Sequence, residues 1–245
     1  MDRMLELTSL AEADHFWFRG FRSFVRPLLT RAAGGRTNLT SLDCGCGTGY
    51  NLRLLSPYGR AFGMDLTASG LALARRTGRP LVRADVLRIP YRSGTFDIVT
   101  SFDVLYSIEE DRAAVREMAR VLKPGGYLIA TLAALDLLRG DHSVLCAEVR
   151  RYDKRMAREL VTAAGLEPLE ISYAFGTTFP LALGLRLIQR LRREKAGESE
   201  IQMPSAPVNA LLTAVVTGEA AMARFLPFPF GSSLMVLARK GLEAH

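Results

Sequence analysis

Leu42-Asp43-Cys44-Gly45-Cys46-Gly47-Thr48-Gly49 is the stretch that decides the fold of this chain of 245 residues. A short apolar segment precedes it, and its glycines stand at every second position. Glycines let the backbone turn sharply at the end of a strand and come close to a ligand. We therefore predict a strand that ends in a ligand-binding loop. Asp43 favours a cationic nucleotide there, since a carboxylate about 4 Å from a phosphate would cost roughly 4 kcal/mol at an effective dielectric constant of about 20.

Beyond residue 38 the sequence alternates between short apolar runs and helical patterns. The apolar runs are predicted to be strands, at 39–43, 61–65, 81–85, 96–102, 126–131, 167–173 and 233–240. The helical patterns lie between them, at 50–55, 68–76, 111–122 and 154–164. This alternation is typical of a doubly wound, Rossmann-like α/β sheet, in which ligands bind at the carboxyl ends of the strands.

The chain is predicted to form a single domain, because 49% of its residues are hydrophobic and no low-complexity linker interrupts it. Within it we expect an N-terminal helical cap over 1–38, a cofactor-binding core over 39–174, a helical insertion for substrate recognition over 175–230, and a last strand and tail over 231–245. The insertion should contain two helices, since it is too long for a bare loop. The first has an apolar face and a basic face, which suits a helix packed on the domain, a substrate lid or a contact with a membrane surface. The two faces consist of Leu181, Leu185, Ile188 and Leu191, and of Arg186, Arg190 and Arg193.

The chain is basic overall, with 32 Lys and Arg against 25 Asp and Glu and a formal net charge of +7. Its arginines are spread along the whole sequence, as on a solvated surface, so nucleic acid is not the favoured partner. The chain begins without an export signal and has no run of roughly 18 apolar residues, so we expect a cytoplasmic protein. Cys44 and Cys46 stand too close together for metal ligands of the two-residue-gap type, and Cys146 has no obvious partner. We therefore expect buried thiols and no metal site.

Acidic residues also end the second and third predicted strands. Asp65 lies 20 residues after Gly45, where a carboxylate can accept hydrogen bonds from both ribose hydroxyls of an adenosine. Asp85 ends the third strand, where it can accept a hydrogen bond from an adenine amino group. A nicotinamide cofactor is the rival, but its G-x-G-x-x-G pattern would need a glycine at Tyr50. The acidic residues therefore predict a site for a cationic adenosine derivative.

These motifs together resemble those of the class I S-adenosylmethionine-dependent methyltransferases. The resemblance runs from about Asp14 to Lys240. It rests on the glycine stretch and on Gly63-Met64-Asp65, Ala84-Asp85-Val86, Phe96-Asp97-Ile98-Val99 and Arg120-Val121-Leu122-Lys123-Pro124-Gly125-Gly126. The stretches His15-Phe16-Trp17-Phe18-Arg19-Gly20 and Arg150-Arg151-Tyr152 are similar to a bacterial subgroup often called type 11. The resemblance implies S-adenosyl-L-methionine as cofactor and a seven-stranded sheet that is parallel apart from its last strand.

The resemblance also implies a set of cofactor-binding residues. The three glycines should pass close to the methionine part, Asp65 should bind the ribose, and Asp85 with Val86 should bind the adenine. Trp17 and Arg19 would close over the cofactor from the N-terminal side, with Arg19 facing its carboxylate. The complete expected set is Asp43, Gly45, Cys46, Gly47, Gly49, Asp65, Leu66, Asp85, Val86, Ser101, Phe102, Trp17 and Arg19. One departure concerns the Glu-His pair that relatives often carry after the fourth strand, where this chain has Tyr106-Ser107.

Methyl transfer from a sulfonium is an in-line displacement, so the protein mainly has to align the acceptor and exclude water. A catalytic base helps when the acceptor is a phenol or another hydroxyl. The candidates are Tyr106, His142 and His15. The alternative for Tyr106 is a wall of the site, for His142 a surface position, and for His15 packing or closure over the cofactor.

The predicted function is therefore methyl transfer to a small, largely apolar acceptor such as a secondary metabolite or a quinone-like or lipid-like molecule. One alternative is a regulator or partner subunit that binds the cofactor without transferring a methyl group. A nicotinamide-dependent oxidoreductase is opposed by the glycine spacing. A nucleic-acid methyltransferase is opposed at Ser101-Phe102-Asp103-Val104, because nucleobase methyltransferases usually carry an Asn/Asp-Pro-Pro-aromatic element there.

Overall fold

A central sheet organises the chain, whose computed structural model describes residues 2–136, 148–180, 184, 203–223, 225–226 and 228–242. Its strands are β1 (Leu39–Cys44), β2 (Gly59–Asp65), β3 (Leu81–Arg83), β4 (Phe96–Phe102), β5 (Leu122–Ala133), β6 (Leu166–Ala174) and β7 (Ser233–Lys240). They lie in the order β3-β2-β1-β4-β5-β7-β6, and β7 runs antiparallel to both of its neighbours. The predicted seven-stranded, mostly parallel sheet with an antiparallel last strand is therefore confirmed.

The helices cover both faces of this sheet. They are α1 (Asp2–Ala11), α2 (Phe16–Ala33), α3 (Leu52–Leu55), α4 (Ala68–Ala74), α5 (Asp111–Val121), α6 (Lys154–Thr162) and α7 (Ala206–Met222). On one face, α5 and α6 bury Met118 and Leu160 in a core with Val99. On the other, α2 and α7 bury Phe24 and Val216. A core on each side of the sheet is the doubly wound arrangement that the alternating pattern predicts.

The bounds of several elements differ from the predicted ones for local reasons. The third strand ends at Arg83 because Asp85 forms a turn, accepting a hydrogen bond from the Leu87 amide at 2.9 Å. The predicted insertion helix over 181–191 lies outside the described residues, apart from residue 184, and α7 is the second predicted helix. None of the helices in the described part of the chain combines the length and the apolar character needed to cross a bilayer.

Helix α2 begins and ends at residues suited to those positions. The Nδ1 atom of His15 accepts the Trp17 amide at 3.2 Å, and Gly34 ends the helix in the left-handed region with φ 56°. Near its start, Gly20 packs against α7, where a Cβ atom would lie 2.1 Å from Val216 Cγ1. The absence of a side chain at Gly20 therefore permits the close approach of α2 and α7.

The buried carboxylate of Glu219 on α7 holds the chain segment that follows β6. It accepts hydrogen bonds from the Gly176 amide at 2.7 Å, the Thr177 amide at 2.9 Å and the Thr177 hydroxyl.

We expect Glu219→Ala to lower the free energy of unfolding by about 3 kcal/mol, because buried donors lose their acceptor. Urea unfolding measures this. Glu159→Ala, which removes a carboxylate exposed on α6, is the control and should change stability by less than about 0.5 kcal/mol. An equal effect of the two substitutions would contradict the assigned role of Glu219.

Candidate functional site

The glycine loop lies at the carboxyl end of β1 and is tied to the end of β2. The amides of Gly45 and Cys46 donate to the Met64 carbonyl at 2.8 and 2.9 Å, and the Gly47 amide donates to Asp65 Oδ2 at 2.7 Å. Gly45, Gly47 and Gly49 all have positive φ, at 79°, 49° and 77°. The loop thus takes a backbone path that other residues rarely adopt.

The loop also packs directly on the segment that follows β4. A Cβ atom at Gly45 would lie 2.3 Å from Cγ2 of Val104, closer than carbon atoms can approach. Val104 comes two residues after the end of β4. The carboxyl ends of β1, β2 and β4 therefore meet around Gly45, at the edge where this fold binds ligands.

Asp43 is 1% exposed just before the loop. Its Oδ1 accepts a hydrogen bond from the Thr100 hydroxyl at 2.7 Å, while its Oδ2 is buried with no hydrogen-bond partner among the described residues. Burial, together with the nearby charge of Asp65, raises the pKa of Asp43 to about 7 although the Thr100 hydroxyl lowers it. A buried carboxylate oxygen without a donor is unfavourable, so a cation beside it would be stabilised.

Asp65 has a structural role besides the predicted one. Its Oδ2 accepts the Gly47 amide, and its Oδ1 accepts the Thr67 amide at 2.8 Å and the Thr67 hydroxyl at 2.6 Å. Since each carboxylate oxygen can accept about two hydrogen bonds, Oδ2 has one position left for a ligand hydroxyl. The next residue, Leu66, is 60% exposed and offers an apolar surface at this edge.

The residues predicted to contact the adenine lie in different environments. Asp85 is exposed and uses Oδ1 in its turn, while Val86 is buried and packs in the core. Ser101, at the end of β4, has a buried hydroxyl without a hydrogen-bond partner among the described residues. Phe102 is buried and meets the ring of Phe21 edge-on with the centroids 5.2 Å apart.

Both described cysteines are buried and free. Burial is the main cause that raises the pKa of the Cys46 thiol, with Asp43 and Asp65 adding to it. The same causes raise the pKa of Cys44, with Asp43 as the nearby charge. Both side chains therefore stay neutral thiols and fill space below the loop. Cys146 lies outside the described residues.

The aromatic N-terminal motif forms a cluster near the ends of β4 and β6. Trp17 stacks on Phe175 with the ring centroids 5.5 Å apart and on Phe21 with the centroids 5.8 Å apart. His15 stacks on Phe16 and serves as the N-cap of α2, so its Nδ1 is already in use.

Arg22 and Arg53 both lie over the ring of Tyr50, next to the glycine loop, whereas Arg19 is exposed. The guanidinium of Arg22 sits 4.9 Å from the centroid of the Tyr50 ring and donates to the Glu12 carbonyl at 2.6 Å. The side chain of Glu12 accepts from the hydroxyl of Thr48, a loop residue, at 2.7 Å, and burial raises the pKa of this carboxyl. Glu12, which follows α1, thus contacts the loop at Thr48, and Arg22 on α2 contacts the adjoining Tyr50; the sequence motifs did not single out either residue.

Tyr106 and the Arg150-Arg151-Tyr152 motif meet next to the end of β4. The Tyr106 carbonyl accepts the Val149 and Arg150 amides at 2.8 and 3.2 Å, and the Tyr106 side chain is half-buried. The Arg150 guanidinium lies 2.6 Å from the carboxylate of Asp111, which also accepts from the Tyr152 hydroxyl at 2.8 Å. These contacts hold residues 148–152 against the start of α5. His142 lies outside the described residues.

Asp103 is a candidate acid-base residue that the sequence motifs did not single out. It follows β4 in the left-handed region with φ 54°, and its amide donates to the Thr131 hydroxyl at 2.9 Å. The Thr131 hydroxyl in turn lies 3.1 Å from Asp103 Oδ1, while Oδ2 has no donor among the described residues. Burial raises the pKa of Asp103 to about 6. Strain and a perturbed pKa at the end of a central strand are typical of functional residues.

Comparison with known proteins agrees with this geometry. A protein-family profile described as a methyltransferase domain matches residues 42–130, from the glycine stretch into β5. This region is a class I S-adenosylmethionine-dependent methyltransferase domain. The predicted family and its cofactor, S-adenosylmethionine, are thereby confirmed.

Two curated relatives of the methyltransferase domain have named activities. The demethylmenaquinone methyltransferase of Roseiflexus sp. (strain RS-1) is 33% identical over 140 residues, covering 54% of this chain and 57% of that protein. The malonyl-[acyl-carrier protein] O-methyltransferase of Legionella pneumophila is 35% identical over 106 residues, covering 40% of this chain and 37% of that protein. Among eight curated relatives of this kind, the chain spans between 21% and 63% of the relative's length.

A solved structure shares the fold of the described part of the chain. It is the complex of the Haloferax volcanii Trm112 methyltransferase activator with a methyltransferase, matched with a TM-score of 0.65 at 20% identity. The alignment covers 100% of this chain and 97% of that one. The agreement therefore extends beyond the core to the helices at its N-terminal side and before β7.

The residues of the methyltransferase domain fit its cofactor. S-adenosylmethionine carries a sulfonium and an ammonium group, and Asp43 and Asp65 supply negative charge around the loop. The orphaned Oδ2 of Asp43 is the buried polar atom that a positive charge would stabilise. The exposed Leu66 offers an apolar surface for a flat adenine ring.

Proposed function

We propose that this protein transfers the methyl group of S-adenosylmethionine to a small, largely apolar acceptor that loses a proton in the reaction. The observation that carries the proposal is the position of Asp103, whose neighbour Val104 packs against Gly45 of the cofactor loop. A carboxylate with a pKa of about 6 is ionised at neutral pH and can accept a proton from an acceptor hydroxyl. A binding protein without transfer activity would have no use for such a base.

The charges of the residues indicate which role each has in cofactor binding or in catalysis. When bound, S-adenosylmethionine supplies an electrophilic methyl group on a positively charged sulfur that leaves as a neutral thioether. Asp43 and Asp65 hold the positively charged end and the ribose. Asp103 uses its free Oδ2 to take the acceptor proton, while Thr131 holds Oδ1 and fixes the carboxylate plane. The buried ring of Phe102, just before Asp103, helps to exclude water from this end of the sheet.

The class of acceptor is inferred from the aromatic side chains near the end of β4 and from the relatives of the chain. Aromatic side chains cluster beside the end of β4, with Phe21, Phe102, Trp17 and Phe175 in ring contact with one another. Phe21, Phe102 and Phe175 are buried in the core, so Trp17 is the partly exposed ring of the cluster and the one open to contact with a planar apolar molecule. The relatives named after demethylmenaquinone and malonyl-[acyl-carrier protein] support a quinone-like or lipid-like acceptor.

Calorimetry and an acceptor screen test the proposal. We expect saturable binding of S-adenosylmethionine and none of NAD. We also expect a methylated product, identified by mass spectrometry, from at least one quinol or phenol in a panel incubated with labelled methyl donor. Saturable binding of NAD without binding of S-adenosylmethionine would overturn the assignment. Binding of S-adenosylmethionine without turnover across phenols, amines, acids and quinols would favour a cofactor-binding regulator or partner subunit instead.

A further inference from the structure

Residues 12–16 connect α1 to the start of α2 and run beside the cofactor loop. Glu12 lies at one end of this segment, where both of its carboxylate oxygens are 2.7 Å from the hydroxyl oxygen of Thr48. Thr48 belongs to the glycine loop. Glu12 is 8% exposed and Thr48 is 6% exposed, so the contact between them is buried. We call residues 12–16 the strap.

The other end of the strap is held by α7. The side-chain amide of Asn209 donates to the Asp14 carbonyl at 2.8 Å, and its Oδ1 accepts the Phe16 amide at 2.8 Å. Asn209 lies 193 positions after Phe16, in the helix that precedes β7. One side chain of α7 therefore binds both a carbonyl and an amide of the strap.

The middle of the strap is fixed by α2. The guanidinium of Arg22 donates to the Glu12 carbonyl at 2.6 Å and to the Ala13 carbonyl at 3.0 Å. Carbonyl groups at the end of a helix lack partners within the helix, so such donors stabilise the chain there. Arg22 and Asn209 thus hold the backbone of the strap, and the Glu12 side chain extends from it to the loop.

Thr48 is well placed to restrict the glycine loop. It stands between Gly47 and Gly49, whose φ angles of 49° and 77° lie in the left-handed region. Glycine loses more conformational freedom than other residues when its backbone is fixed. The Thr48 hydroxyl also accepts the Tyr50 amide at 3.4 Å, so its contact with Glu12 orders the loop on both sides. A loop that is ordered before binding loses less entropy when the ligand binds, which raises the affinity.

We propose that the strap transmits the position of α7 to the cofactor loop, and that Glu12 and Asn209 are positioning residues for S-adenosylmethionine. Both act through Thr48. The hydrogen bonds form one path from α7 through the strap to the loop, but a path by itself does not establish coupling between its ends. The experiment therefore measures the coupling directly. It concerns binding of the cofactor and depends neither on the acceptor nor on Asp103.

A double-mutant cycle on cofactor affinity tests the proposal. Titration calorimetry with S-adenosylmethionine is carried out on the wild type, Glu12→Ala, Asn209→Ala and the double variant. We expect Glu12→Ala to weaken binding about tenfold and Asn209→Ala about fivefold, the effect of losing roughly one hydrogen bond. Because both act through the strap, the double variant should bind about as weakly as Glu12→Ala alone. Independent effects would instead multiply to about 50-fold.

Matched variants separate positioning from other effects. Glu12→Gln keeps an oxygen for the Thr48 hydroxyl and should bind within about twofold of the wild type. Glu6→Ala removes an exposed carboxylate of α1, and Thr217→Ala removes a hydroxyl of α7 that donates to the Thr213 carbonyl of the same helix at 2.7 Å. Neither control should change cofactor affinity. Thr48→Val breaks the contact from the loop side and takes the place of Glu12→Ala in the cycle if that variant does not fold.

Two outcomes would overturn the role of the strap. One is wild-type affinity in Glu12→Ala and Asn209→Ala together with a lower stability in urea, since the strap would then support the fold alone. The other is a double variant whose loss of affinity equals the product of the single losses, since α7 would then not act through Glu12. The cycle uses S-adenosylmethionine without any acceptor, so a lack of turnover in the acceptor screen would leave its result unaffected.

Discussion

Asp43→Asn is expected to weaken the binding of S-adenosylmethionine by about 100-fold at pH 8, or roughly 2.7 kcal/mol. Asparagine has the same shape and keeps an oxygen for the Thr100 hydroxyl, so the substitution removes mainly the negative charge. The Asp43 carboxylate that carries this charge is buried, and its Oδ2 has no donor among the described residues. Its attraction for a cationic ligand is therefore stronger than that of a solvated carboxylate. Titration calorimetry on both proteins measures the difference.

The pH dependence of binding gives a second readout for Asp43. Its pKa is raised to about 7, so the side chain becomes neutral below that pH and no longer attracts a cation. The affinity of the wild type should therefore rise by up to about tenfold per unit between pH 5.5 and 7 and then level off, while Asp43→Asn should show little of this rise. Asp97→Asn is the control, because Asp97 lies at the amino end of β4 and pairs with Lys123 away from the loop.

The same raised pKa has the opposite effect on stability without cofactor. Between about pH 4 and pH 7 the unfolded chain has lost the Asp43 proton while the folded chain retains it, so this residue's contribution to the free energy of unfolding falls as pH rises. Asp43→Asn should remove that decline and be the more stable protein above pH 7 in urea unfolding. A variant that binds S-adenosylmethionine with wild-type affinity at every pH would contradict the role of Asp43.

Local patterns in the sequence predict the ligand end of the sheet well. The glycine loop and the acidic residue at each strand end are short motifs. The residues of each motif also determine how the chain turns at that strand end, so the motif can be read from the sequence. The contact of Asp65 with Gly47 and Thr67 is of this kind, since its partners lie 18 and 2 positions away. The alternation of strands and helices predicts a doubly wound sheet, and the family resemblance implies its seven strands and antiparallel last strand.

Residues that depend on tertiary packing could not be predicted in this way. Asp103 is distinguished by its left-handed backbone and by Thr131, which lies 28 residues away on the neighbouring strand. Arg19 and Arg22 stand three positions apart on α2, and only the packing of that helix decides that Arg22 meets Tyr50. Likewise, the sequence predicts a second helix in the insertion, which is observed as α7. It does not show which apolar side of that helix packs against the domain.

The second large effect is expected at Asp103. Asp103→Asn should lower kcat for a hydroxyl acceptor by about 10²- to 10³-fold, the usual contribution of a general base, and leave the affinity for S-adenosylmethionine within about twofold. Asparagine tolerates the left-handed conformation found at this position, so the backbone path should be preserved. Initial rates with labelled methyl donor, on an acceptor identified in the screen, together with calorimetry measure the two quantities.

The pH profile distinguishes a base from a residue that only shapes the site. With the pKa of Asp103 at about 6, kcat of the wild type should rise as pH increases through 6 and then level off, because the carboxylate must be ionised to accept a proton. Thr131→Val removes the hydroxyl that lowers this pKa, so the rise should move to higher pH while Asp103 remains present. A structural role would lower the rate equally at every pH. An unchanged kcat in Asp103→Asn, or an unchanged profile in Thr131→Val, would mean that the acceptor loses its proton to another group.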